Sequence, residues 1–379
     1  MRHYFTIPLY LVLFLLPLFN AVAQVAPPPT LAVKAYLLKD FNSGSIIVSS
    51  NKDNRIEPAS LTKIMTAYIT FDAIHHGHLK LDQVLPVSEK AWRVEGSKMF
   101  IDPKTPVSVD ELLHGMIIQS GNDASITLAI GVAGSEEQFA DMMNKQAAAL
   151  GMTSTHFMNA TGLPDKDHYT TAQDLSTLAT ALIRDFPQEY HRLYSVKEYT
   201  YNKITQPNRN RLLWLDPNVD GMKTGHTDTA GYCLIASSKH DESRLVSVVL
   251  GADSEVMRAT ESQKLLNYGF QYYESTLVYK QAQTINTLRV YKGQDKMLAA
   301  TVANNFYLTL PKGDYARVKA SMTNQHPLIA PIKAGQEIGM ITFTLDGKII
   351  NEQKLVAAKS IYEAGFIGRI VDSVKLMVQ

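Results

Sequence analysis

Pro58-Ala59-Ser60-Leu61-Thr62-Lys63 is the stretch from which the fold and the chemistry of this chain can be worked out. It reads Ser-x-x-Lys and precedes apolar residues at helical spacing, so we predict that it forms the first turn of a buried helix. Side chains three residues apart project from the same side of a helix. An amine held beside a hydroxyl can take its proton, and a serine activated in this way attacks acyl carbons.

Two further motifs follow in order, Ser120-Gly121-Asn122 and Lys223-Thr224-Gly225. Ser-x-x-Lys alone occurs by chance in many chains, where it is a helix start with a solvated lysine. The ordered series Ser-x-x-Lys, Ser-x-Asn and Lys-Thr-Gly is typical of penicillin-recognising serine enzymes. The three motifs together therefore predict acyl transfer at Ser60.

The residues that flank two of these motifs point to a narrower family. The stretches from Pro58 to Thr66 and from Asp220 to Thr227 resemble the D-alanyl-D-alanine carboxypeptidases among the low-molecular-mass penicillin-binding proteins. The resemblance runs from about residue 30 to the C-terminus. It implies a serine-type carboxypeptidase that removes the terminal D-Ala from peptidoglycan stem pentapeptides and is acylated by β-lactam antibiotics.

The order of elements predicts an α+β fold. Two strands around Asn42-Ser43-Gly44 precede a helical block, and further strands and a long helix follow. This order favours an antiparallel sheet with helices on its faces and an all-helical subdomain, with the site between them. The resemblance implies the same penicillin-binding, β-lactamase-like layout. Ser108 and Ser135 each begin a capping-box sequence, which predicts a helix start at both positions.

Composition excludes several classes of protein. The 379 residues carry 37 basic and 36 acidic side chains, and this balance does not point to nucleic acid. No zinc-ligand pattern or phosphate-binding glycine loop is present, so we expect no metal and no cofactor. The single cysteine, Cys233, lies in an apolar run and is predicted to be a buried structural thiol.

We predict four segments along the chain. Residues 1–23 combine a basic start, an apolar run and Ala21-Val22-Ala23, as in a cleaved secretory signal; an uncleaved anchor is the alternative. Residues 30–278 form the carboxypeptidase domain. Short β-type runs separated by turn residues predict a β-rich domain over 283–360. Residues 361–379 form an amphipathic helix.

The resemblance assigns roles to the first two motifs. Ser60 is the nucleophile and Lys63 its base, which must be neutral to act. That requires the lysine pKa to fall from about 10.4 to about 7 to 8, through burial and a second cation, for which we expect Lys223. Ser120 passes a proton between the base and the leaving group. Asn122 holds Lys63 and a substrate amide.

The strand of the third motif is expected to bind the substrate as an extended peptide. By resemblance, Lys223 and Thr224 face the substrate and Gly225 leaves room for it. The backbone N–H groups of Ser60 and His226 form the oxyanion hole. An imidazole relay is the other possible role for His226.

A carboxypeptidase must also recognise a free terminal carboxylate, for which arginine is suited. The family pattern matches Arg209 and Arg258. The alternative for each is a surface arginine that forms a salt bridge.

Three other functions stay open on the sequence. A class A β-lactamase shares two of the motifs, but no Glu-x-x-Leu-Asn sequence stands between the second and third, and the C-terminal segment would be unexplained. A D-Ala endopeptidase and a non-catalytic cell-wall scaffold are the others. The intact Ser60, Lys63, Ser120 and Lys223 argue against the scaffold.

The C-terminal tail predicts membrane attachment. At about 100° per residue, seven apolar side chains between Phe366 and Val378 fall on one arc, opposite Arg369, Asp372 and Lys375. Such a helix is too short and too polar to span a bilayer but suits its interface. We therefore expect a periplasmic enzyme held peripherally at the outer face of the inner membrane. A helix docked on the protein's own β-rich domain is the alternative.

Overall fold

The computed structural model of the protein describes residues 26–377. The predicted signal at 1–23 lies outside these residues. The strands, in chain order, are β1 (Ala35–Asp40), β2 (Ile46–Ser50), β3 (Val84–Leu85), β4 (Val107–Ser108), β5 (Glu198–Tyr201), β6 (Ile204–Pro207), β7 (Val219–Thr227), β8 (Gly231–His240), β9 (Ser243–Ala252), β10 (Tyr273–Tyr279), β11 (Asn286–Tyr291), β12 (Met297–Thr301), β13 (Phe306–Pro311), β14 (Val318–Asn324), β15 (Leu328–Ile329), β16 (Glu337–Leu345) and β17 (Lys348–Ala357).

The helices are α1 (Lys63–His75), α2 (Glu89–Arg93), α3 (Val109–Ile118), α4 (Asn122–Ala133), α5 (Glu136–Ala149), α6 (Ala172–Asp185), α7 (Pro187–Leu193), α8 (Leu212–Leu215), α9 (Glu255–Tyr272) and α10 (Phe366–Met377). A short 3₁₀ turn, Ala59–Thr62, leads directly into α1. Ser60 therefore lies on a helical first turn, as predicted, although that turn is tighter than an α-helix.

A five-stranded antiparallel sheet, in the order β2-β1-β9-β8-β7, forms the centre of the first part of the chain. Its middle strand β9 is apolar on both faces because α6 packs on one side and α9 on the other. β7, which carries the third motif, is an edge strand of this sheet. Its outer edge can therefore accept an extended peptide.

Between β2 and β7 the chain forms the helical part, built mainly on α1, α3, α4 and α5. At α3 the predicted capping box is present, with Ser108 and Glu111 bonded to each other's backbone N–H groups. At α5 the Ser135 hydroxyl accepts from the backbone N–H of Gln138. The antiparallel sheet, the helices on its faces and the helical part confirm the α+β expectation.

Strands β10 to β17 form the second part of the chain. Six of them make a sheet in the order β14-β16-β17-β12-β11-β15, and β10 pairs with β13. Their buried side chains form a separate hydrophobic core. The β-rich part begins at Tyr273, directly after α9, and so about ten residues before the predicted start at 283. The reason is that β10 pairs with β13, which lies about 30 residues further along the chain. The residues of β10 alone do not indicate this pairing.

Cys233 is buried in β8, and burial raises the pKa of its thiol to about 11. A thiol with so high a pKa is inert at neutral pH. This agrees with the structural role predicted for it.

Candidate active site

A cavity of about 240 Å³ lies where the edge strand β7 faces the helical part. Seven of the ten predicted site residues line it, and Gly96 and Ser97 complete the lining. The lining residues among the ten are Ser60, Ser120, Arg209, Thr224, Gly225, His226 and Arg258. The other three, Lys63, Asn122 and Lys223, are buried behind this lining.

The Lys63 side chain is only 1% exposed. Its Nζ lies 3.0 Å from Ser60 Oγ, 2.7 Å from Asn122 Oδ1 and 2.5 Å from the carbonyl oxygen of Thr161. The last two oxygens can only accept. A neutral Lys63 amine therefore donates both its N–H groups to them, and its lone pair is left to accept the proton of Ser60.

Electrostatics favour that neutral form. Burial, helped by the guanidinium of Arg209, lowers the pKa of Lys63 to about 7, while Asp123 acts in the opposite direction. Arg209 is therefore one cation that lowers the pKa of Lys63, and the same role for Lys223 stays a prediction. Burial and the neighbouring Lys63 also hold the pKa of Lys223 well below its ordinary value, so the two buried lysines act on each other.

Ser120 follows α3 in the left-handed region, with φ 63°. Such a conformation costs a non-glycine residue about 1 kcal/mol or more and persists where the surroundings impose it. Its Oγ has no hydrogen-bond partner within residues 26–377. The hydroxyl is thus free to exchange hydrogen bonds with a substrate and with the buried amines.

The turn that carries Ser60 is packed between two glycines. A Cβ atom added to Gly162 would lie 1.8 Å from the carbonyl oxygen of Ala59, and one added to Gly225 would lie 3.2 Å from Ala59 Cβ. The missing side chain of Gly225 therefore makes room for the turn that carries Ser60. Gly225 also lines the cavity, and the room it is predicted to leave for the substrate stays a prediction. Lys223 likewise points inward, where Nζ donates to the Thr224 carbonyl at 3.0 Å.

At the outer end of the cavity, Arg258 is nine-tenths or more buried and fixed by several contacts. Its Nη2 donates to Glu255 Oε1 at 2.7 Å and to the carbonyl oxygen of Arg209 at 3.4 Å. Its guanidinium lies over the Tyr232 ring at 5.5 Å, and His226 packs on the same ring at 4.0 Å. The His226 imidazole thus contacts Tyr232, which is more consistent with a backbone role for His226 than with a proton relay.

The second motif also holds the loop that carries Gly96 and Ser97. The Asn122 N–H donates to the Ser97 carbonyl and its side-chain amide donates to the Glu95 carbonyl, both at 2.7 Å. Asn122 therefore joins Lys63 to this loop instead of lining the cavity. Asp123, whose carboxylate accepts the backbone N–H of Met99 at 3.0 Å, extends the same attachment.

Sequence reasoning missed Asp123, Glu255, Tyr232 and the Thr161 carbonyl. Asp123 directly follows the second motif, so its position was a usable signal. Glu255 lies three residues before Arg258 on α9, a helical spacing at which ion pairs form, so its position was a usable signal as well. Tyr232 and the Thr161 carbonyl lie further along the chain from the groups they contact, and no spacing rule connects them to the motifs.

Comparison with known proteins agrees with this geometry. Residues 21–254 match the family model for D-alanyl-D-alanine carboxypeptidase, and residues 273–363 match the model for the C-terminal domain of penicillin-binding protein 5. D-alanyl-D-alanine carboxypeptidase DacC of Escherichia coli (strain K12) is 43% identical over 364 residues, covering 94% of this chain and 91% of the relative. DacA of the same strain is 40% identical over 366 residues, with coverages of 94% and 91%.

Solved structures agree as well. Penicillin-binding protein 5 from Haemophilus influenzae is 40% identical and superimposes with a TM-score of 0.86, over 89% of this chain and 100% of that chain. Penicillin-binding protein D2 from Listeria monocytogenes, solved in its ampicillin-bound form, is 32% identical with a TM-score of 0.60, over 65% of this chain and all of that one. The chain therefore belongs to the D-alanyl-D-alanine carboxypeptidase family.

Proposed function

We propose that this carboxypeptidase works through an acyl-enzyme on Ser60. Neutral Lys63 takes the Ser60 proton, and Oγ attacks the carbonyl carbon of the penultimate D-Ala. The backbone N–H groups of Ser60 and His226 stabilise the oxyanion. The observation that carries the proposal is the buried Lys63 amine, whose two carbonyl-type partners leave its lone pair to Ser60.

The proton then moves to the leaving amine through Ser120, whose hydroxyl is otherwise without a partner in the described part of the chain. Terminal D-Ala departs, and water hydrolyses the ester. Arg258 and Arg209 at the end of the cavity hold the terminal carboxylate, beside Thr224. Lys223 on β7 is buried behind the cavity lining, where its charge and that of Lys63 limit each other.

The substrate is the stem pentapeptide of peptidoglycan, and penicillins acylate the same serine. The test is mass spectrometry of the protein after incubation with a labelled penicillin and with a D-Ala-D-Ala peptide. We expect one adduct, on the tryptic peptide that carries Ser60, and release of D-Ala. The Ser60→Ala variant, shown to be folded by circular dichroism, should lose both. An adduct that persists in this variant would contradict the assignment.

The same proposal places the enzyme in the periplasm, at the membrane surface. Within residues 26–377 no helix is both long and apolar enough to cross a bilayer. Helix α10 instead presents an apolar side to solvent, with Phe366 72%, Ile367 78% and Met377 85% exposed. An amphipathic helix of this kind lies in the interface with its apolar side in the lipid.

The opposite side of α10 explains why the apolar side faces outward. Asp372, on the polar side, is 1% exposed. Its Oδ2 accepts the backbone N–H of Lys292 at 2.6 Å and the Lys296 ammonium at 2.9 Å. The helix is therefore docked on the β-rich part, as the alternative predicted. It is docked by its polar side, however, so its apolar side stays exposed to solvent and is free to bind lipid.

Removal of residues 361–379 tests this attachment. We expect the truncated protein to move from the membrane fraction to the soluble fraction while it still releases D-Ala from a soluble pentapeptide. Truncated protein that still sediments with membranes would count against α10 as the attachment.

A further inference from the structure

A second cavity, of about 380 Å³, adjoins the active site on the far side of Arg209, which lines both. Two apolar side chains of α8 line this second cavity, and both are largely exposed: Trp214 at 48% and Leu215 at 59%. Large apolar side chains grouped beside an active site are a common form of ligand subsite. The catalytic groups described above make no use of them.

The charges around this cavity favour an acidic group. Arg209 and Arg211 line it together with Glu255. The Glu255 carboxylate is already paired with Arg258 at 2.7 Å, so its negative charge is largely balanced. A ligand that binds here therefore meets an apolar surface and an arginine pair, and the chemistry that fits both is a chain of methylene groups with a carboxylate at its end.

We infer that this cavity is a subsite for the side chain of the leaving residue. The inference rests on the proposed function, in which Arg209 and Arg258 hold the carboxylate of that residue. From there a long side chain can pass across Arg209 to Trp214 and Leu215 and place a distal carboxylate at Arg211. The methyl group of D-Ala is too short to do so.

The reaction itself is unchanged by a longer leaving residue. The same amide bond breaks, the same ester forms on Ser60, and the leaving amine takes the same proton. The enzyme therefore accepts terminal residues larger than alanine, including residues whose side chains carry an acid.

The test compares three peptides with one common acyl half, ending in D-Ala, D-norleucine or D-2-aminoadipate. The measured quantity is kcat/KM for release of the terminal residue. Trp214→Ala should lower the values for the two long residues, relative to D-Ala, by about tenfold, the usual effect of lost apolar contact in a pocket. Arg211→Gln should lower the value for D-2-aminoadipate relative to D-norleucine.

The chain offers a matched control, since its other tryptophan, Trp92, is similarly exposed in α2 and does not line the cavity. Trp92→Ala should leave all ratios as in the wild type. Ratios that stay within about twofold in Trp214→Ala and in Leu215→Ala, with D-Ala still released, would overturn the subsite alone. Failure of the wild type to release D-Ala would instead overturn the proposed function and the subsite with it.

Binding of a peptide to this subsite can be measured without catalytic turnover. In a Ser60→Ala, Trp92→Phe double variant, Trp214 is the only tryptophan left. Its fluorescence should change on titration with the peptide ending in D-2-aminoadipate and not with the one ending in D-Ala. Equal responses to the two peptides would contradict the inference.

Discussion

The Asp123 carboxylate accepts a hydrogen bond from the backbone N–H of Phe100 at 2.9 Å. Phe100 lies in the left-handed region, with φ 68°, and its ring is about half exposed. The conformation is therefore held by the carboxylate and not by packing of the ring. Because the same loop brings Gly96 and Ser97 to the cavity, Asp123 positions one wall of the active site.

Asp123→Asn should make the loop over residues 96–101 more mobile and should lower the pKa of Lys63. An asparagine presents an N–H group where the carboxylate accepted one, so amide exchange over residues 96–101 should accelerate. Asp123 also raises the pKa of Lys63. Its removal should therefore move the rising limb of the pH profile for penicillin acylation to lower pH, which stopped-flow measurement with a fluorescent penicillin can follow.

The matched control for this variant is Asp174→Asn. Asp174 is also buried and also accepts a backbone N–H, from Ser154 at 2.9 Å, but it does not line the cavity. Its amide variant should leave the pH profile in place. A profile that stays unmoved in Asp123→Asn, or that moves equally in both variants, would contradict the role given to Asp123.

For Lys63, the acylation rate should rise with pH through about 7. Its pKa is lowered to about 7, so the neutral, active form is present above that pH and is lost as the pH falls below it. Lys63→Arg should be nearly inactive at every pH, because a guanidinium stays protonated. A wild-type rate that is flat from about pH 6 to 10 would speak against Lys63 as the base.

Gly162→Ala should destabilise the protein much more than Gly151→Ala. Both glycines have positive φ, 82° and 77°, so both variants pay about 1 kcal/mol of backbone strain. Only at Gly162 would the new Cβ overlap a neighbour, the Ala59 carbonyl, whereas the space at Gly151 is open. We expect a loss of about 3 kcal/mol or more in the free energy of unfolding at Gly162, measured by urea denaturation. Equal losses of unfolding free energy in the two variants would mean that the turn carrying Ser60 shifts to accommodate the new Cβ atom at little energetic cost.

Asp372→Ala should undock α10. The Lys296 hydrogen bond is the main cause that holds the pKa of Asp372 below its usual range. The docking is therefore complete at neutral pH and weakens only as the pH falls below about 4. In the variant, amide exchange over residues 366–377 should be fast at pH 7, while D-Ala release stays at the wild-type rate. Asp295→Ala, which removes an exposed ion pair with Lys359, is the control.

The sequence by itself determined the chemistry and the local structure. Ser-x-x-Lys, Ser-x-Asn and Lys-Thr-Gly carry their reactive groups in the side chains themselves, and the serine before α3 caps the helix through bonds only a few residues apart. The amphipathic period of α10 is equally local. These features depend on residue type and spacing, which the order of residues states directly.

Only the tertiary structure decided how those groups behave. The pKa of Lys63 is lowered by burial and by Arg209, and its Nζ donates to the Thr161 carbonyl. Arg209 and Thr161 both lie far along the chain from Lys63. The outward orientation of α10 depends on Asp372 meeting Lys296. Burial, Coulomb interactions and hydrogen bonds act through distance in space, so the order of residues alone does not state how far the pKa of Lys63 is lowered.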